Sequence, residues 1–96
     1  MVVNEIMLKL KEKTDENITA LQNGLLEMKG NIEQLHDIKV NVNIRAGAAA
    51  FDVIMIAKYD SMQKFNEYIT HPYHMEVGKY VLGVCEQTAS VCYEEE

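Results

Sequence analysis

Residues 59–81 read YDSMQKFNEYITHPYHMEVGKYV. Asp60 or Ser61 is placed to cap a helix, because a short side-chain oxygen can accept from a backbone N–H orphaned at a helix start. Met62, Phe65, Tyr68 and Ile69 then recur on one helical face. The pair His71-Pro72 interrupts that helix. Pro72 is the only proline in the chain; proline is favoured at the first helical position, and the residue before it avoids the helical region. The stretch therefore predicts two helices joined at His71, the second running from Pro72 toward Val81 or Leu82. His74 falls in the first turn of the second helix, where the positive helix end disfavours an imidazolium and lowers its pKa. A neutral His74 can serve as a base near pH 7.

Upstream, AFDVIMIAKY is a strand that is apolar on both faces from Val53 to Ala57. Such a strand is expected in the middle of a sheet, or covered by a partner on its second face. IKVNVNIR (38–45) alternates strictly: Ile38, Val40, Val42 and Ile44 form a dry face, and Lys39, Asn41, Asn43 and Arg45 a wet one. The segment around Gly47 is a loop tip. Residues 2–10 read as a strand with Ile6, Leu8 and Leu10 on one side. Thr14 or Asp15 starts a helix over 15–29, on which Ile18, Leu21, Leu25 and Met28 form the apolar stripe, and Gly30 terminates it. EQTASVCYE is a last strand, with Ala89, Val91 and Tyr93 on one face and Thr88, Ser90 and Cys92 on the other. The order strand–helix–strand–strand–helix–strand predicts an α+β fold, a ferredoxin-like sandwich with an antiparallel sheet and its helices on one side. The other side of the sheet needs cover, which a second sheet packed against it would supply.

The chain has 96 residues and fits one domain over 1–96. A domain this short buries only about 60–65% of its unfolded surface, so a partner subunit would help it. Its formal charge of -6 repels phosphate backbones and argues against nucleic acid. No apolar run approaches the ~18 residues of a membrane span, and the N-terminus lacks the uninterrupted apolar run of a signal peptide. Cys85 and Cys92 form no CxxC pair. On one regular strand their spacing of seven would put them on opposite faces, so free thiols in a reducing cytoplasm are expected.

The segment YDSMQKFNEYITHPYHMEVGKYV resembles the signature of the stress-responsive A/B barrel (Dabb) family. That signature has an aromatic and an acid closing a strand, a helix ending in Y-x-x-H-P-x-H, and a second helix. The first strand ending in Lys9-Leu10-Lys11 and the element order extend the resemblance over nearly the whole chain. It implies a ferredoxin-like protomer and a homodimer whose two sheets form a dimeric α/β barrel, with higher rings in some relatives. In one plant branch of the family there is a pocket between sheet and helices. That branch is a cofactor-free polyketide cyclase whose tyrosine and histidine match Tyr68 and His74. Two further histidines of that branch align with Asn4 and Val53 here, so two of its histidine positions are unoccupied.

Three functional readings compete for His71 and His74. A metal site is the weakest: Pro72 separates the two, no acid or cysteine completes a set, and His36 would join only by accident of fold. A catalytic reading uses His74 to remove a proton and the Tyr68 hydroxyl to stabilise a developing oxyanion, as in cyclisation or enolisation of a small carbonyl compound. The plain alternative is that Tyr68 packs, Pro72 begins a helix and both histidines satisfy backbone groups. The expectation is a homodimeric module that binds a small apolar or aromatic ligand through Asn4, Tyr68, His71 and His74, with no metal or cofactor. A cyclase or lyase using Tyr68 and His74 is the first alternative, and a monooxygenase-like member of the same superfamily the second.

Overall fold

The computed structural model describes residues 1–96. The elements are β1 (Val2–Leu10), α1 (Asp15–Leu26), β2 (Asp37–Val42), β3 (Val53–Tyr59), α2 (Met62–Ile69), α3 (Pro72–Val84) and β4 (Cys85–Glu94). The four strands form one sheet in the order β2-β3-β1-β4, and every neighbouring pair is antiparallel. This is the α+β, ferredoxin-like arrangement, with the apolar β3 in the interior of the sheet as its sequence demands. The shortest dimension of the molecule, 17 Å, is that of two layers.

The register sorts every strand residue onto a face, because directly paired residues share a side. Ile38–Ala57–Asn4–Cys92 and Val40–Met55–Ile6–Ser90 are rows on the helix side. Lys39–Ile56–Glu5–Val91 and Asn41–Ile54–Met7–Ala89 are rows on the outer side. Val53, Met55, Ala57 and Tyr59 are buried under the helices, while Ile54, Ile56 and Lys58 are only partly covered.

Local chemistry explains the helix boundaries. Thr14 Oγ1 accepts from Asn17 N–H at 3.1 Å and Ser61 Oγ from Lys64 N–H at 3.2 Å, each holding an orphan donor. Helix α1 stops at Leu26, short of the expected Lys29. The chain then tightens into three-residue turns, with Met28 N–H on Leu25 O and Lys29 N–H on Leu26 O. Gly30 takes φ +94°, a left-handed conformation that penalises side chains. The turn segment still buries Met28, Ile32 and Leu35, extending the core beyond Leu21 and Leu25 of α1. Full burial of each such side chain contributes about 1.5–3 kcal/mol.

Three expectations about faces change. Strand β2 ends at Val42, and Ile44 is fully exposed. Asn43 causes this: its Nδ2 donates to Phe51 O at 2.6 Å and its Oδ1 accepts from Arg45 N–H at 2.7 Å, giving the backbone a turn in place of the ladder. On α2, Phe65 and Tyr68 pack inward, but Met62 and Ile69 are largely exposed because the helix is only eight residues long and approaches the sheet on a narrow stripe. Finally, Cys85 and Cys92 lie on the same face. The ladder passes from Lys9↔Gln87 to Leu10↔Cys85, so Glu86 is an extra residue in a bulge that reverses the alternation. Seven residues of strand still separate the thiols by about 20 Å, and both are free.

Beside the bulge stands the one buried carboxylate of the core. Asp52 accepts from Leu10 N–H at 2.8 Å through Oδ2 and faces Lys13 Nζ at 3.5 Å through Oδ1. Its own backbone N–H donates to Leu8 O and its carbonyl accepts from Asn43 N–H, tying β1 to the entry of β3. Replacing Asp52 leaves the Leu10 N–H without its acceptor in a buried place. Asp52→Ala is expected to lower stability by about 2 kcal/mol, and Asp52→Asn by less, as read from urea unfolding midpoints at unchanged slope.

Candidate functional site

Helix α3 has no fully buried residue; Tyr73, Val77, Val81 and Val84 only lean on the core. The space left between it and the sheet is a cavity of about 430 Å³. Ile6 and Leu8 of β1 and Met55 of β3 line it from the sheet, Val77, Gly78 and Val81 from α3, and Leu25 and Met28 from the α1 side. Of its 15 lining residues 11 are hydrophobic, so it suits an apolar body with few polar atoms. Tyr68, His74, Lys79 and Thr88 supply the polar side chains. A larger concavity of about 860 Å³ runs between α1 and α3, past Asn23, Glu27, His71 and Glu76. It is a broad surface groove, and nothing chemically activated converges on it.

Tyr68 is buried at 1% exposure, and its ring packs on Tyr59 (centroids 4.8 Å), Phe65 (6.1 Å) and His74 (4.4 Å). Its hydroxyl donates only to Met28 Sδ at 3.6 Å, a weak acceptor. Burial raises the Tyr68 pKa above the usual phenol value, so Tyr68 remains a hydrogen-bond donor at neutral pH.

His74 Nδ1 lies 3.0 Å from Ile69 O. A carbonyl only accepts, so Nδ1 carries the hydrogen and, in the neutral ring, Nε2 holds the free lone pair. The His74 pKa is lowered, as the sequence leads one to expect. The leading cause is burial rather than the helix end; the Ile69 carbonyl works against it, and His71 adds a smaller depression. The geometry therefore assembles a neutral base beside a neutral phenol donor in an apolar cavity.

The other residues singled out by sequence are placed differently. His71 is the N-cap of α3, with extended φ/ψ of −64° and 134°; its Nδ1 accepts from Tyr73 N–H at 3.1 Å. It lines the outer groove and not the cavity. Asn4 is buried on the helix side of β1, between Ala57 and Cys92, outside the cavity lining. Val53 is buried in the core. His36 sits on the surface, with Nδ1 3.2 Å from Asp60 Oδ1. No three His, Cys, Asp or Glu side chains come together in a way that could hold a metal ion. Burial, then the Asp52 charge, pushes the Cys85 thiol pKa up, which disfavours its thiolate. Sequence reasoning missed Thr88 and the α3 wall of Val77, Gly78 and Val81. Their positions depend on how far α3 stands off the sheet, which has no local signal.

No helix is long and apolar enough to cross a membrane. No curated protein matches the chain in sequence. Among solved structures, a protein of Arabidopsis thaliana superposes with a TM-score of 0.89 at 20% identity, covering 100% of this chain and 96% of its own. A dimeric ferredoxin-like protein of unknown function from Bacteroides fragilis matches at TM-score 0.79 and 24% identity, over 98% of this chain and 95% of that one. The hydroxynitrile lyase of Passiflora edulis matches at TM-score 0.87 and 13% identity, over 99% and 93%. At these identities the likeness shows the fold alone. The model of the stress responsive A/B barrel domain matches residues 5–95, nearly the whole chain, and the protein therefore belongs to that family, Dabb.

Proposed function

We propose that this chain is a homodimeric module that binds a small apolar or aromatic carbonyl compound in the cavity between its sheet and α3. The observation that carries the reading is the Tyr68–His74 contact of 4.4 Å at the wall of a largely apolar cavity. A carbonyl oxygen there would accept from the Tyr68 hydroxyl in place of Met28 Sδ, a gain over a sulfur acceptor. An acidic C–H or O–H of the ligand would face His74 Nε2. Asn4 and His71 contribute from outside the lining, Asn4 beneath it in the sheet and His71 by fixing the start of α3.

The same pair supports a second reading, a cofactor-free cyclase or lyase. His74 would take a proton from the substrate while Tyr68 donates to the oxygen that gains charge. The hydroxynitrile lyase of Passiflora edulis is built on this fold, which makes such chemistry compatible with the scaffold. The absence of histidine at positions 4 and 53 separates this chain from the plant cyclase pattern.

The dimer reading rests on the outer sheet face. All helices lie on the other side, and Met7, Val91 and Tyr93 are each more than 40% exposed, beside Ile54 and Ile56. A second sheet packed on this face would form the barrel, as the dimeric Bacteroides fragilis structure encourages. A charge buried there without a partner is costly. Ile54→Asp is expected to convert a sedimenting dimer to monomer at micromolar concentration, with its helical signal retained. A wild type that sediments as a monomer would remove this reading.

For the pocket, thermal shifts with a panel of aromatic carbonyl compounds, benzaldehyde and acetophenone among them, should show binding to wild type. Tyr68→Phe and His74→Ala should each weaken it about 3–10-fold, the worth of one hydrogen bond. Equal binding by both variants would return the pair to a packing role. The pH dependence has a definite sign. His74 has a folded pKa below its unfolded value of ~6.5, so the unfolded chain takes up a proton first on acidification. Stability is lost as pH falls from about 6.5 through the folded value. Between pH 7 and 5 the melting temperature of wild type should therefore fall further than that of His74→Gln.

A further inference from the structure

Two buried side-chain oxygens in the structure have no hydrogen-bond partner, Gln34 Oε1 and Tyr59 Oη. Gln34 belongs to a rim contact in which its Nε2 reaches Glu67. Tyr59 is different: it is completely buried, at the end of β3, edge-on to Phe65 with centroids at 5.0 Å and tilted against Tyr68 at 4.8 Å. Nine-tenths or more of buried polar groups find a partner, and leaving a buried hydroxyl without one is destabilising. A phenylalanine would fill the same space without that cost.

The ring packed against Tyr59 at 4.8 Å, Tyr68, carries the other hydroxyl of this aromatic cluster. The Tyr68 hydroxyl spends its hydrogen on Met28 Sδ, and no donor reaches its oxygen lone pairs. The two rings pack at 4.8 Å with the Tyr59 hydroxyl left without an acceptor; burial raises the pKa of both phenols, and Tyr59 holds that of Tyr68 back. We propose that Tyr59 is a positioning residue for Tyr68, its hydroxyl donating to the Tyr68 oxygen when Tyr68 turns its own hydrogen from Met28 to a bound carbonyl. No bond to hydrogen is broken; one hydroxyl rotates and a two-phenol chain, Tyr59 to Tyr68 to ligand, is completed. In a largely apolar cavity each donor in such a chain strengthens the next. The ligand oxygen therefore meets a stronger donor than a lone tyrosine. The inference rests on the reading of the cavity given above, and deepens it by adding a residue that does not touch the ligand.

The deciding experiment needs no ligand. Uniform 3-fluorotyrosine labelling makes every phenol more acidic and gives each of the five tyrosines its own 19F resonance, assigned with single Tyr→Phe variants. In Tyr59→Phe the Tyr68 resonance is expected to titrate about one pH unit higher, a tenfold weaker acid; an unchanged midpoint overturns the proposal. The melting temperature of unliganded Tyr59→Phe should equal or exceed that of wild type, since the lost hydroxyl holds nothing in that state. A clear fall would mean that the hydroxyl already serves the fold, and overturns the proposal equally. With benzaldehyde bound, the carbonyl stretch should lie at lower frequency in wild type than in Tyr59→Phe at equal occupancy, and identical frequencies contradict the chain of donors. Failure of wild type to bind any carbonyl compound removes the reading of the cavity, while the ligand-free titration still decides whether Tyr59 supports Tyr68.

Discussion

The joint at His71-Pro72 is the constraint on which the cavity depends. Proline offers no N–H and holds the preceding residue extended, so α2 and α3 cannot merge into one long helix. The break costs little because both sides of it are satisfied. His71 N–H reaches back to Tyr68 O at 3.1 Å, and His71 Nδ1 receives Tyr73 N–H. With its direction set independently of α2, α3 rests on the core through Tyr73, Val77, Val81 and Val84 but buries none of them fully. Apolar space remains between helix and sheet. The same joint delivers His74 one turn into α3, against the ring of Tyr68 from α2.

Desolvation then sets the character of the groups at that wall. It favours neutral forms, so it lowers the histidine pKa and raises those of the phenols. One physical term thus yields a base with a free lone pair beside a donor that keeps its hydrogen. The Ile69 carbonyl adds tautomer selection, leaving Nε2 as the accepting atom. Ion pairs have little part in this: bridges such as Lys58–Glu95 and Lys79–Glu76 lie at the surface, where solvent screens them.

The sheet has two different faces, and they serve different ends. On the helix side, Val53, Met55, Ala57 and Tyr59 meet Leu21, Leu25, Met28 and Ile32 in one core. On the outer side, Ile54 and Ile56 stand in rows with Glu5, Lys39 and Asn41. The polar members explain how the face tolerates water. The Tyr93 hydroxyl donating to Glu5 Oε2 at 2.6 Å ties β4 to β1 across that surface.

What the sequence determined by itself is the set of features that act over a few residues. An apolar run on both faces from Val53 to Ala57 placed β3 in the interior, short polar side chains at 14–15 and 60–61 marked the helix starts, and Pro72 divided the third helix from the second. These follow from backbone sterics and from apolar periods, which need no distant partner. Even there, the Asn43 turn ended β2 three residues before the alternation did, because a side chain outbid the ladder for the backbone. Only the tertiary structure decided the rest. The bulge at Glu86 set the face of Cys85, since register is a property of two strands and not of one. Of the two histidines flanking Pro72, His74 reaches the cavity and His71 is held by Tyr73 N–H, a choice made by the direction in which α3 leaves the joint. The unpartnered hydroxyl of Tyr59 is invisible in sequence for the same reason: whether a buried polar atom finds an acceptor depends on which side chains the packing brings within reach.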